Sequence, residues 1–214
     1  MDKSGNIGEL LNRNTSLLRV KIAREAAHRI YSGMEKEYKQ AKLKASKAMG
    51  SNFLPTNLEV AIELDRIADE QEGPTRLERL VQMRKEALKL MYILRIYRPL
   101  LVGSVWRGTV HRDSDIDIVV HHDEPEDVLK ALTETGVRIQ ATEFVAVTKK
   151  GNKEEAFHIY AESTVGEKAE IKVCSREVYR RERCAIYGDE VVGLHIAELE
   201  SMLESTPTQR FVPF

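Results

Sequence analysis

The chain has 214 residues, 42% hydrophobic and 31% charged, with 33 basic against 34 acidic side chains. That length suits one ordinary domain with a substantial extension, or two small ones, and the composition excludes a disordered or fibrous chain. A formal net charge of -1 excludes wholesale coating of a polyanion, so any nucleic-acid contact must come from local patches. The longest apolar runs, such as residues 90–94, fall far short of the roughly 20 residues that cross a bilayer. The opening residues have no basic flank leading into an apolar stretch, so no membrane span and no secretory signal are expected, and a cytoplasmic location is. Cys174 and Cys184 lack CxxC spacing or a His-rich companion and read as reduced structural thiols.

In chain order, Val20, Ala23, Ala27, Ile30, Met34, Tyr38, Ala41, Ala45 and Ala48 recur at spacings of three and four and predict one long helix, which Gly33 weakens without ending and Gly50 stops. Its alanine-rich seam predicts folding back on the third helix or pairing with a second copy of the chain as a homodimer. Lys36, Lys39, Lys42, Lys44 and Lys47 near its end read as solvated surface, with an RNA-binding arm as the sharper reading. A second helix starts near Thr56, where Thr56 and Glu59 have capping-box spacing, and a third starts after Gly73-Pro74 with the pair Thr75 and Glu78. Pro99 ends it. The period then changes: 100–102 and 116–120 read as strands, 126–133 as a connecting helix, and 137–148, 156–163 and 168–174 as further strands separated by turn residues. Residues 176–186 and 195–203 read as helices.

The stretch from Gly103 to Asp117 carries the chemistry. A strand running into Gly103-Ser104, followed by a second glycine at Gly108, lets backbone N–H groups and the Ser104 hydroxyl approach a phosphate. Asp115 and Asp117 open the next strand, where alternation puts them on one face about 7 Å apart at Cα. Two carboxylates so placed suit hard divalent cations.

The run GSVWRGTVHRDSDIDIVV, residues 103–120, resembles the signature of the DNA polymerase β nucleotidyltransferase superfamily, in which Gly-Ser and a spacer lead to Asp-x-Asp at a strand start. The resemblance extends over residues 85–180, and small prokaryotic minimal-type nucleotidyltransferases are among the members. It implies an α+β fold with a mixed or antiparallel sheet and flanking helices, here an N-terminal helical region over 1–75, a nucleotidyltransferase domain over 76–205 and a mobile tail over 206–214. It also implies a third acid on a later strand. Glu170, with Lys172 on the same face, is the leading choice; Glu162 is the second, and a competing register would put Lys172 itself at the acid's position.

The implied chemistry is two-metal transfer of a nucleoside monophosphate from a nucleoside triphosphate, such as ATP, to a hydroxyl of an RNA 3′ end, a protein or a small molecule. Asp115, Asp117 and Glu170 would hold magnesium or manganese. Gly103, Ser104 and Gly108 would bind the phosphates, and Arg107 and Lys172 would offset their charge. A nucleotide-binding regulatory module without turnover, acting through the helical front, is the other reading. A toxin–antitoxin role is a third, and the chain's length, about twice that of minimal members, counts against it. His121 and His122 point to opposite strand faces and so cannot share a metal. Trp106 reads as packing under its helix rather than as a base-stacking ring.

Overall fold

The computed structural model describes residues 4–149, 152–175 and 183–213. Two compact units divide the chain. The first comprises Met1–Gly73 with the short segments His111–Asp113 and Ala185–Gly188. Its helices are α1 (Ser4–Tyr31), α2 (Tyr38–Ala48) and α3 (Asn57–Glu72). The periodicity expected to give one long helix is thus split in two. Ser32 and Gly33 close α1 with bonds to His28 O and Ile30 O at 2.9 and 3.0 Å, and Gly33 takes a φ of 73° that continues no right-handed helix. The break lets α2 fold back, so Ile22, Ala23, Ala26, Ala27 and Ile30 meet Ala41 and Ala45 of α2 and Val60, Leu64 and Ile67 of α3 in one buried cluster. The alanine seam is therefore covered by α2 and α3 of its own chain, while Val20 and Met34 from the same heptad pattern stay exposed. Arg19 and Arg24 of α1 pair with Glu59, Glu63 and Glu70 of α3. The capping box at α3 forms as its spacing requires: Thr56 Oγ1 accepts from Glu59 N at 3.2 Å, and Thr56 N donates to Glu59 Oε2 at 2.7 Å. Two of the α2-region lysines are engaged, Lys44 with Glu35 and Lys42 with Asn57 Oδ1 at 2.7 Å.

The second unit comprises Pro74–Val110, Ser114–Cys184 and Asp189–Phe214. It opens with α4 (Pro74–Ile93), which starts at Pro74, where the missing N–H costs nothing. Then come β1 (Leu100–Val102), the short α5 (Gly103–Arg107), β2 (Ile116–His121), α6 (Pro125–Glu134), β3 (Arg138–Lys149), β4 (Asn152–Glu162), β5 (Lys168–Cys174) and α7 (Ile196–Ser205). The strands form one mixed sheet in the order β1-β2-β5-β4-β3. Among the described strands, only the β2/β5 pair is parallel. This is the mixed sheet with flanking helices expected of a polymerase-β-like nucleotidyltransferase.

One face of the sheet carries the core: Ile116, Ile118 and Val120 of β2, Phe157, Ile159 and Ala161 of β4, and Ala169, Ile171 and Val173 of β5 are buried with apolar residues of α4, α6 and α7. Each fully buried Ile or Val contributes roughly 1.5–3 kcal/mol. Strict alternation then forces the intervening side chains of β2, β4 and β5 onto the opposite face, where they are half-buried and mostly polar. Among the described residues, no helix is long and apolar enough to cross a membrane. The two cysteines form no disulfide.

Two further expectations need correcting. Residues 176–182 of the expected helix lie outside the described residues, and the remainder is not helical, because Arg183 forms a β-bridge with Glu190. The expected mobile tail is docked through residue 211: Phe211 N donates to Arg107 O at 3.0 Å, and the Phe211 ring stacks on Trp106 at 6.1 Å. Fully buried Arg84 reaches the same strap, donating to Pro207 O at 2.6 Å and Gln209 O at 2.8 Å, and to Val105 O and Trp106 O at the end of α5.

Candidate active site

Asp115 and Asp117 stand on the polar face where β2 begins, because Ile116 and Ile118 are fully buried on the other. The parallel pairing then sets Glu170 of β5 directly beside Asp117, and Lys172 beside Val119. In this register Glu170, and not Lys172, is the partner of Asp117. Glu162, the second choice for a third acid, is engaged by Arg138 and by Gln140 Nε2 at 2.7 Å, and Arg138 holds its carboxyl below the usual range.

The glycine-serine element lies against this cluster. Val102 pairs with Asp117 across β1/β2, so Gly103 follows immediately beside it, with a φ of 69°. A Cβ there would overlap Asp117 Oδ2 and sit 2.7 Å from its Cγ. Ser104, the next residue, is half-buried in the first turn of α5.

Burial, then the carboxylates of Glu170 and Asp115, push the Asp117 carboxyl up to about 7. Like charges crowded in this way favour either a proton or a cation. Among the described residues, no three His, Cys, Asp or Glu side chains are already closed into a metal cage. The donor set nevertheless fits a hard cation, being all carboxylate oxygen on one face with mutual repulsion for a cation to relieve.

Arg107 and Gly108 do not join the acids. Arg107 is 3% exposed; it forms a two-pronged pair with Asp189 at 2.8 and 3.0 Å, donates to Phe211 O at 2.9 Å and lies 4.4 Å from the Trp106 ring centroid. Gly108 ends α5 with a φ of 73°, and a Cβ there would lie 3.0 Å from Gln209 O. Both serve the packing of the C-terminal strap.

Two side chains that the sequence reading passed over complete the face. His158 and Tyr160 of β4 lie opposite Lys172 and Glu170. His158 Nδ1 hydrogen-bonds Glu170 Oε1. Tyr160 donates to Glu143 Oε1 of β3 at 2.6 Å, which with burial pushes its hydroxyl up to about 12. The alternation His158-Ile159-Tyr160 carried this signal, but only the strand order identifies Glu170 as their neighbour.

No curated protein matches the chain. Solved structures that it resembles include Cid1 in complex with the UTP analog UMPNPP, at 16% identity and a TM-score of 0.35 over 59% of this chain and 38% of that one. A cytoplasmic RNA terminal U-transferase aligns at 18% identity and a TM-score of 0.29 over 61% and 36%. JHP933 from Helicobacter pylori aligns at 11% identity and a TM-score of 0.28 over 53% and 51%. The chain thus spans well under half the length of the first two. A family description for the nucleotidyltransferase domain matches residues 73–187, from α4 past β5 and so across every strand of the acid-bearing sheet. With more than half of its residues in that match, the chain belongs to the nucleotidyltransferase domain family.

Proposed function

We propose that this protein transfers a nucleoside monophosphate from a nucleoside triphosphate to a hydroxyl acceptor and releases pyrophosphate. The observation that carries this reading is Asp117 flanked by Asp115 and Glu170 on the half-buried polar sheet face, with Gly103-Ser104 against it. Asp115, Asp117 and Glu170 would hold magnesium or manganese. Bound there, such a cation would neutralise phosphate charge and lower the pKa of the attacking hydroxyl. Gly103 leaves room for the triphosphate to approach the backbone, and the Ser104 hydroxyl and N–H are donors to its oxygens. Lys172, two residues beyond Glu170 on the same face, offsets phosphate charge. The acceptor oxygen loses its proton to water and bonds to the α-phosphorus, the bond from that phosphorus to the β-phosphate oxygen breaks, and pyrophosphate leaves. Most of the catalysis in this scheme is placement.

The test is transfer of label from each α-labelled nucleoside triphosphate, with magnesium or manganese, to total RNA, to small hydroxyl acceptors and to the protein itself. Label that disappears in Asp115→Ala and Asp117→Ala establishes the transferase and names its acceptor class. Magnesium-dependent nucleotide binding without label on any acceptor would overturn transfer and leave a regulatory nucleotide-binding module.

A further inference from the structure

Glu170 is one methylene longer than the aspartates beside it, so its carboxylate has one more torsion to fix before it can share a cation with them. It also stands in register with Asp117 on the neighbouring strand. On the opposite flank, β4 presents His158 with its side chain 15% exposed, and the ring meets Glu170 Oε1 through Nδ1. An ionised carboxylate only accepts, so Nδ1 carries the hydrogen and donates it. This bond holds one oxygen of the carboxylate, Oε1, from the β4 side. Tyr160, the in-register partner of Glu170 on β4, does not compete, because its hydroxyl is given to Glu143.

We propose that His158 is a positioning residue that holds Glu170 through Oε1 so that Oε2 faces the cation shared with Asp115 and Asp117. This rests on the cation site proposed above. A partner of this kind behind a ligating carboxylate typically contributes roughly 10–100-fold in metal affinity. Asparagine is the matched replacement, since its Nδ2 is bonded to Cγ as the histidine Nδ1 is.

The experiment is manganese binding to the full chain without nucleotide, read by electron paramagnetic resonance of the free ion, with circular dichroism and melting curves alongside. His158→Ala should weaken binding roughly 10–100-fold, and His158→Asn should restore it to within about threefold. Glu170→Gln should weaken it similarly, with no further loss in the double variant, as expected of residues acting as a unit. Wild-type affinity in His158→Ala, while Glu170→Gln binds weakly, overturns the positioning role and leaves the cation site standing. Loss in both His158→Ala and His158→Asn makes the ring itself a ligand and also overturns it. Unchanged binding in Glu170→Gln, Asp115→Asn and Asp117→Asn removes the cation site, and the proposal with it.

Discussion

Gly103 is the only residue type that lets Asp117 occupy its position: a Cβ on residue 103 would overlap Asp117 Oδ2 and come within 2.7 Å of Cγ, and the backbone there has a φ of 69°. The glycine of the phosphate-binding element and the central carboxylate are thus one steric unit. Gly103→Ala is expected to cost more than the ~1 kcal/mol of left-handed strain alone, and to abolish both label transfer and manganese binding. Gly166→Ala has similar strain at a φ of 90° with nothing within 4 Å of the new Cβ, and isolates the strain. Chemical denaturation of the two variants checks this; equal losses would refute the overlap.

Asp117 makes metal-free stability depend on pH. Its carboxyl is at about 7 in the fold, against roughly 4 in an unfolded chain. The folded state holds the proton that the unfolded state has released, so stability falls as pH rises from about 4 to about 7 and stays low above. Asp117→Asn removes this penalty. In a chelator, its melting temperature should exceed that of the wild type by on the order of 5 °C at pH 8, with the gap closing toward pH 4. A gap independent of pH would mean that the carboxyl titrates normally.

Arg84 is a buried cation that, among the described residues, donates to four carbonyls, two at the end of α5 and two in the C-terminal strap, and burial lowers its pKa only to about 10. It therefore stays charged at neutral pH. Arg84→Lys keeps the charge but not the planar fork, and should cost roughly 2 kcal/mol. Hydrogen exchange at the Phe211 amide, bonded to Arg107 O at 3.0 Å, should accelerate more than exchange in α3.

Arg107 separates structural from phosphate roles. Because its guanidinium is committed to Asp189 and Phe211 O, Arg107→Lys should lower stability by about 1–3 kcal/mol while the KM for nucleoside triphosphate changes less than twofold. A KM increase of roughly tenfold or more with unchanged stability would instead assign the side chain to phosphate.

Local pattern by itself determined which residues share a face. The alternation of Asp115-Ile116-Asp117-Ile118 and of Glu170-Ile171-Lys172-Val173 fixes the acids opposite the apolar side, because a strand has a period of two in any fold. Thr56 and Glu59 likewise place a helix start through bonds that span three residues. Only the tertiary structure decided which strands are neighbours. Setting β5 beside β2 in parallel brings Glu170 to Asp117, and setting β4 on its other side brings His158 to Glu170, across 53 and 12 positions of sequence respectively. No periodicity encodes such distances, since they follow from how the core of one sheet face closes under α4, α6 and α7. Long-range packing likewise sets the surroundings of Arg107, Gly108 and Gly33. Arg107 and Gly108 resemble phosphate-binding residues locally, yet a strap from the chain's far end packs on both. Gly33 ends a helix because α2 can then bury its alanines on α1, a gain that exists only once both helices are in place.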